Sequence, residues 1–176
     1  MNKLIIGFLF LTFLIGGCKT VVPERDSVSP TFLLRIQNRE GFLMDIPNTF
    51  DFDNTTLYLE RGKTYQIVYT GGDNGGLEFL SWRFSSDGAF RVRNSFAGSC
   101  TIENFNSDEL RILCQGDRND PRTGLVITAD LEVYGLTTST VEEYEFKLES
   151  QDYFANSTAK ILAIRIHNDA PRIGNR

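Results

Sequence analysis

The stretch Leu125-Val-Ile-Thr-Ala-Asp-Leu-Glu-Val-Tyr134 decides the fold, because apolar and polar residues alternate along it. One face carries Leu125, Ile127, Ala129, Leu131 and Val133, and the other carries Thr128, Asp130 and Glu132. Successive side chains of a β-strand point to opposite sides of the sheet, so such a strand buries one face and exposes the other. The pattern therefore predicts a strand of an antiparallel sheet that is packed on a core.

The same period of two residues recurs along the chain, and no window of a dozen residues shows a clean helical period. Tyr144, Phe146 and Leu148 alternate with charged residues in this way. Further predicted strands cover 32–37, 57–59, 64–70, 77–85, 90–94, 101–105, 110–114 and 160–167. Many short strands separated by Gly, Asn and Asp predict an all-β fold, a two-sheet antiparallel sandwich.

The composition is that of a globular protein, with 41% hydrophobic and 23% charged residues in a chain of 176. Lys and Arg number 18 against 23 Asp and Glu, which gives a net charge of -5. A nucleic-acid partner is not expected, because binding a phosphate backbone needs a basic surface. Residues 31–176 have the length of a single domain.

The amino terminus has the layout of a secretory signal peptide: Lys3, then an apolar run over 4–17 that ends in two small residues before Cys18. The run is shorter than a membrane-spanning helix requires. The segment Leu14-Ile-Gly-Gly-Cys18 resembles the lipobox of bacterial lipoproteins, although Ile15 stands where that family usually has leucine. The resemblance implies cleavage before Cys18 and attachment of lipid, including palmitate, to this cysteine.

This resemblance divides the chain into a signal peptide (1–17), a lipidated cysteine with a flexible tether (18–30) and a folded domain (31–176). Pro23 and Pro30 and the absence of an apolar period favour a flexible tether. The membrane is then a partner through the lipid on Cys18. Lys19 follows the cysteine in place of the aspartate that retains such lipoproteins at the inner membrane. The expected location is the cell envelope of a Gram-negative bacterium, at the outer membrane.

Two stretches, 62–82 and 144–166, resemble bacterial immunoglobulin-like domains in their pattern. The first contains a tight Asp73-Asn-Gly corner and a strand on which Trp82 has the phase of the core residues. The intersheet disulfide of antibody domains is absent, because Cys100 and Cys114 both follow Trp82. The region 90–140 is longer than in a minimal domain of this family. It predicts extra strands or a long insertion in the middle of the sandwich.

A hairpin is predicted around Asn106-Ser-Asp108, where Phe105 would pair with Glu109 across a three-residue turn. The same register places three further pairs opposite each other: Cys100 with Cys114, Ile102 with Ile112 and Glu103 with Arg111. An apolar pair on one face and an ion pair on the other both stabilise a hairpin. We therefore predict a structural disulfide between Cys100 and Cys114.

The sequence contains little that is typical of an enzyme. His167 is the only histidine, and we expect it to be solvated at a strand end. No Gly-x-Ser-x-Gly sequence presents a serine nucleophile, and no set of histidines and cysteines predicts a zinc site. Glu143 and Glu145 share a strand face in the manner of a glycosidase pair, but the polar pattern continues beyond them and predicts a solvated face.

No cofactor is predicted, apart from calcium at irregular loops between strands, and neither of the two acidic loops fits the EF-hand pattern. The candidate ligands in these loops are Asp51, Asp53, Asp117 and Asp120. Candidate contacts for a binding partner are Asp73 and Asn74 in the glycine-rich loop 71–76, and Phe79 and Arg83 on the next strand. Loops displayed by rigid sheets are the usual place for binding.

The leading hypothesis is a non-enzymatic, lipid-anchored envelope protein whose sandwich binds a protein or glycan partner. One alternative is a carbohydrate-active or other hydrolase that uses loop carboxylates around Asp51, Asp73 and Asp117. A second alternative is an enzyme inhibitor that inserts the region 85–99 into an active site. A cleft that gathers the three aspartates would favour the hydrolase, and a disordered loop over 85–99 would count against the inhibitor.

Overall fold

The computed structural model describes residues 26–93, 100–121, 123–136 and 141–176. The signal peptide, Cys18 and tether residues 19–25 lie outside these residues. The strands are β1 (Thr31–Gln37), β2 (Leu43–Pro47), β3 (Thr55–Glu60), β4 (Thr64–Gly72), β5 (Leu77–Ser85), β6 (Phe90–Arg93), β7 (Cys100–Asn104), β8 (Glu109–Gln115), β9 (Gly124–Val133), β10 (Val141–Asp152), β11 (Ser157–His167) and β12 (Arg172–Asn175). The described residues form no helix that is long and apolar enough to cross a membrane.

The strands form two sheets that enclose one core, so the predicted all-β sandwich is confirmed. Sheet 1 has the order β2-β1-β4-β9-β6, and sheet 2 has the order β12-β3-β11-β10-β5-β8-β7. One neighbouring pair departs from the predicted antiparallel arrangement, since β3 runs parallel to β11 with Thr56 opposite Ala163. The parallel pair arises where the chain crosses from the edge of sheet 1 to sheet 2 between β2 and β3.

Seven strands follow the order of an immunoglobulin constant-type domain. In sheet 1, β1, β4, β9 and β6 take the positions A, B, E and D, and in sheet 2, β5, β10 and β11 take the positions C, F and G. Along the chain, these seven strands occur in the alphabetical order A to G, as in that domain. The immunoglobulin-like fold is therefore confirmed. The predicted insertion is the hairpin β7–β8, which extends sheet 2 beyond β5.

The core follows the alternating pattern that the sequence shows. The five core-facing residues of β9 (Leu125, Ile127, Ala129, Leu131 and Val133) are at most 9% exposed. Trp82 is fully buried, as predicted, and its ring lies 5.0 Å from that of Phe84 and 5.2 Å from that of Phe146. In this fold the tryptophan of the third strand usually packs on the intersheet disulfide. Here Phe146 of the neighbouring strand supplies an aromatic surface for Trp82.

The hairpin β7–β8 has the predicted register, with Cys100 opposite Cys114. The two cysteines form a disulfide, as predicted. Arg111 and Glu103 form the predicted ion pair, in which the Arg111 Nε donates to Glu103 Oε1 at 2.7 Å. Because β7 is the edge strand of sheet 2, Ile102 remains 45% exposed.

Two strands were not predicted from the sequence, and both are short edge strands. In β2, only Ile46 of five residues is buried, and the strand ends at Pro47, which cannot donate a ladder hydrogen bond. In β12, at the edge of sheet 2, four residues pair with β3, and none of them is buried. These two edge strands bury so little apolar surface that they show no clear alternation of apolar and polar residues.

His167 is buried, at 3% exposure, so the prediction of a solvated imidazole is wrong. The residues after β11 fold back over it, and the main-chain N–H of Asp169 donates to its Nδ1 at 3.2 Å. The ring of Tyr58, on the neighbouring strand β3, lies edge-on at 5.4 Å. In contrast, Glu143 and Glu145 are exposed, as the polar face of β10 predicts.

Candidate functional site

Residues 26–30 join the domain at the end of the sandwich that is formed by the β4–β5 loop and the β10–β11 turn. The Asn156 Nδ2 donates to the main-chain oxygen of Asp26 at 3.0 Å, and the Thr158 hydroxyl donates to that of Pro30 at 2.6 Å. These residues, assigned above to the tether, thus contact the domain. We call this end, with loops 73–76 and 153–156, the entry end. The opposite end, with turns 38–42 and 61–63, is the far end.

Three carboxylates meet at the entry end. One oxygen atom from each of Asp26, Asp73 and Asp152 lies within 4.8 Å of the others. Burial raises the pKa of the Asp73 carboxyl, the Gly75 N–H lowers it, and the charges of Asp26 and Asp152 raise it again. A Cβ atom at Gly75 would come within 2.8 Å of the Asp26 Oδ2, so glycine at this position permits the close approach of the carboxylates.

Asp152 is fully buried and shapes the β10–β11 turn. Its Oδ1 accepts hydrogen bonds from the main-chain N–H groups of Phe154 and Asn156, each at 2.8 Å. Its Oδ2 accepts a further bond from Asn156 Nδ2 at 2.7 Å. These donors satisfy the Asp152 carboxylate. Through Asp152, Asp73 and Asp26, the cluster brings together the β10–β11 turn, the β4–β5 loop and the entering chain. Within the described ranges, no other three Asp, Glu, His or Cys side chains place their ligand atoms within 4.8 Å of one another.

The aspartates that the sequence offers as calcium ligands do not form such a group. They are Asp51, Asp53, Asp117 and Asp120, and all four are exposed. In the first loop, the Asn54 Nδ2 donates to the Asp51 carboxylate at 3.1 Å. In the second, the main-chain N–H of Asn119 donates to Asp117 at 2.8 Å. Each carboxylate stabilises its own turn, and neither loop gathers three acidic groups among the described residues.

The hydrolase alternative requires Asp51, Asp73 and Asp117 to come together. Asp51 precedes Phe52, whose ring lies 5.8 Å from the ammonium group of Lys160 on β11. Asp117 follows β8, which is three strands from β11 in sheet 2, about 14 Å at the usual strand spacing. Asp73 belongs to the entry-end cluster. Because β2 and β8 both end at the entry end, all three aspartates lie toward that end, but among the described residues their carboxylate oxygens do not form a group within 4.8 Å of one another.

The predicted contact residues differ in how far their side chains are exposed and in whether they already have partners within the protein. Asn74 is exposed at the entry end, and Phe79 is partly exposed on the outer face of sheet 2. Arg83 already has partners on that face: its guanidinium lies 3.5 Å from the Glu109 carboxylate and 4.4 Å from the centre of the Phe105 ring. In the region proposed for an inhibitor loop, residues 94–99 lie outside the described part of the chain.

A groove of about 530 Å³ lies at the far end, over the outer face of sheet 1. Gln37, Gln66 and Asp130 form its floor, and they are neighbours in register on β1, β4 and β9. Residues 38–40 and 62–64, from the two turns of this end, form its walls. Sequence reasoning missed the groove, because each floor residue is an ordinary outward-facing polar residue of its own strand. Only the pairing of three distant strands brings them together.

The strand order defines the chain as an immunoglobulin-type β-sandwich with an inserted hairpin. No protein-family model matches the sequence, and no curated protein matches it. Among solved structures it is similar to a non-cellulosomal cohesin from the hyperthermophilic archaeon Archaeoglobus fulgidus, with 16% identity over 64% of this chain and 90% of that one, at a TM-score of 0.36. It is also similar to ACE19, the collagen-binding subdomain of the Enterococcus faecalis surface protein ACE, with 14% identity over 68% and 98%, at 0.36. At these scores neither structure adds to the assignment of the fold, which rests on the sheets themselves.

Proposed function

We propose that the protein is a non-enzymatic, lipid-anchored binding module of the bacterial cell envelope, held at the outer membrane through Cys18. The observation that carries this proposal is the position of residues 26–30, which join the domain at one end and leave the other end clear. The lipobox-like sequence before Cys18 supplies the anchor, and a rigid immunoglobulin-type sandwich supplies the presented surface.

We infer the orientation of the anchored domain from the positions of its two ends. Eight residue steps separate Cys18 from Asp26, a span of at most about 29 Å when fully extended. The strand β10, with 12 residues, is about 40 Å long, so the far end stands roughly this distance beyond the entry end. A short tether therefore keeps the aspartate cluster close to the membrane and presents the far end, with its groove, to a protein or glycan partner.

The anchor is tested by metabolic labelling with an alkyne analogue of palmitate in a Gram-negative host, followed by separation of membrane and soluble fractions. We expect the wild-type chain to be labelled and to sediment with outer membranes. Cys18→Ser should lose the label because it removes the acylated thiol. The matched control is the double variant Cys100→Ser with Cys114→Ser, which should keep the label. Label on Cys18→Ser, or none on the wild type, would overturn the proposal.

A further inference from the structure

We propose that the far-end groove is a binding site for a neutral glycan. This inference deepens the proposed function, since it names the class of ligand for that end of the molecule. The groove has about 530 Å³, within the usual range of 300–1,000 Å³ for ligand sites. It lies at the end remote from residues 26–30, where an anchored domain leaves most space for an extended chain of sugars.

The lining supplies hydrogen-bonding groups. Amides of Gln37, Asn38 and Gln66, the hydroxyl of Thr64 and the carboxylate of Asp130 face the groove, and no aromatic or aliphatic side chain lines it. Protein partners are usually gripped by aromatic residues and arginine in apolar pockets, so this lining does not favour a protein ligand. Sugar hydroxyl groups both donate and accept hydrogen bonds, which suits a mixture of amides and a carboxylate.

Several of these groups retain hydrogen-bonding capacity. The Gln37 side-chain amide donates to the carbonyl oxygen of Gln66, which orients the two amides and leaves the Gln66 NH₂ group for a ligand. Among the described residues, the Asp130 carboxylate has no hydrogen-bond or ion-pair partner, and it is exposed beside Gln66. Adjacent donors and an acceptor on one sheet face match neighbouring hydroxyl groups of a sugar ring.

The charges of the groove favour a ligand without net charge. The ammonium group of Lys63 lies 2.5 Å from the Glu40 carboxylate and 3.7 Å from that of Glu60, so its charge is offset by the protein. Asp130 and Arg39 then contribute opposite charges to the same groove. An anionic glycan would meet the Asp130 carboxylate, and a cationic ligand would meet the Arg39 guanidinium.

The test uses the full chain in detergent micelles on a printed panel of oligosaccharides of two to six units. One arm carries neutral N-acetylglucosamine-containing chains of the bacterial cell wall, and the other carries neutral mannose and galactose chains of external glycoproteins. Uronic and sulfated chains and unrelated peptides complete the panel. We expect binding in one neutral arm, which also identifies the source. Binding only to acidic chains or peptides, or none at all, would overturn the inference.

Titration calorimetry with the best neutral oligosaccharide then places the site. Gln66→Ala and Asp130→Ala should each weaken binding at least tenfold, because each removes a hydrogen-bonding group from the floor. Asp130→Asn keeps the shape of the side chain, so it serves as a second variant in case Asp130→Ala fails to fold. The matched control is Thr128→Ala on the same face of β9, which should bind like the wild type. Unchanged affinity in the groove variants would overturn the assignment. Cys18→Ser should bind normally, so failure of the anchor proposal is separable from failure of this one.

Discussion

Glu142 occupies a core-facing position of β10, where the alternating pattern would place an apolar residue. It is only 9% exposed, and its Oε1 lies 2.7 Å from the Arg61 guanidinium. The Tyr144 hydroxyl donates to its Oε2 at 2.6 Å, and the main-chain N–H of Leu136 donates at 2.7 Å. These donors offset the cost of burying the charge. Sequence reasoning did not place Glu142 in the core, because its main partner, Arg61, lies on a distant turn.

In the acidic cluster, the titration of Asp73 makes the free energy of unfolding depend on pH. The raised pKa of Asp73 means that the folded chain holds this proton more tightly than the unfolded chain does. Its contribution to the free energy of unfolding therefore declines as the pH rises from about the usual value of 3.8 through the raised pKa. We expect Asp73→Asn, which keeps the acceptor for Gly75 and removes the charge, to raise the Tm at pH 7.

This effect is measured by thermal unfolding between pH 3 and pH 8 in the presence of EDTA, which removes divalent cations. The gain in Tm of Asp73→Asn over the wild type should grow with pH. Asp53→Asn serves as the control, because Asp53 is exposed and lies outside the entry-end cluster. A Tm of Asp73→Asn below that of the wild type at pH 7 would contradict the account.

At the scale of the elements, the local alternation of apolar and polar residues was sufficient to predict the strands that bury one face. The predicted strand over 77–85 matches β5 at both ends, and the register of β7–β8 followed from its turn and from its apolar and charged pairs. β2 and β12 escaped prediction because they have one buried residue and none, too few to show alternation. The parallel pairing of β3 with β11 also escaped prediction, because it depends on a crossover between sheets.

The disulfide should stabilise the hairpin β7–β8 chiefly by restricting the unfolded chain. The double variant Cys100→Ala with Cys114→Ala should lower the free energy of unfolding by about 3 kcal/mol, the value expected for a loop of about 15 residues. Urea denaturation under non-reducing conditions measures the loss. Wild type in excess reductant should lose a similar amount, and the variant should not respond to reductant. Equal midpoints for oxidised wild type and variant would show that the bond contributes nothing.

At the scale of the whole molecule, the sequence predicted the fold class but not the surfaces that the fold creates. The entry-end cluster joins Asp26, Asp73 and Asp152, and of these only Asp73 was a candidate. The far-end groove joins residues of three strands that are each unremarkable alone. Both depend on which strands become neighbours and on where the chain enters the domain. Such long-range relations leave no local signal in a single sequence.

The orientation proposed for the anchored domain predicts unequal access to its two ends. Single cysteines introduced as Thr64→Cys at the far end and Asn74→Cys at the entry end both replace exposed residues. On membrane-anchored protein, a bulky maleimide-polymer should react several-fold faster at position 64, because the membrane obstructs position 74. In detergent the two rates should become similar. Faster reaction at position 74 on membranes would reverse the proposed orientation.

The placement of residues 26–30 and of the groove at opposite ends of β1 has a mechanical consequence. A partner held at the far end and pulled away from the membrane would place the domain under tension along its strands. The seven residue pairs of β1 with β4 and the five with β2 would then be loaded together in shear, because ladder hydrogen bonds lie across the strands. Peeling, in which the bonds break one after another, would require force from the side. A domain anchored and loaded in this proposed way would therefore resist the pull better than it would resist peeling.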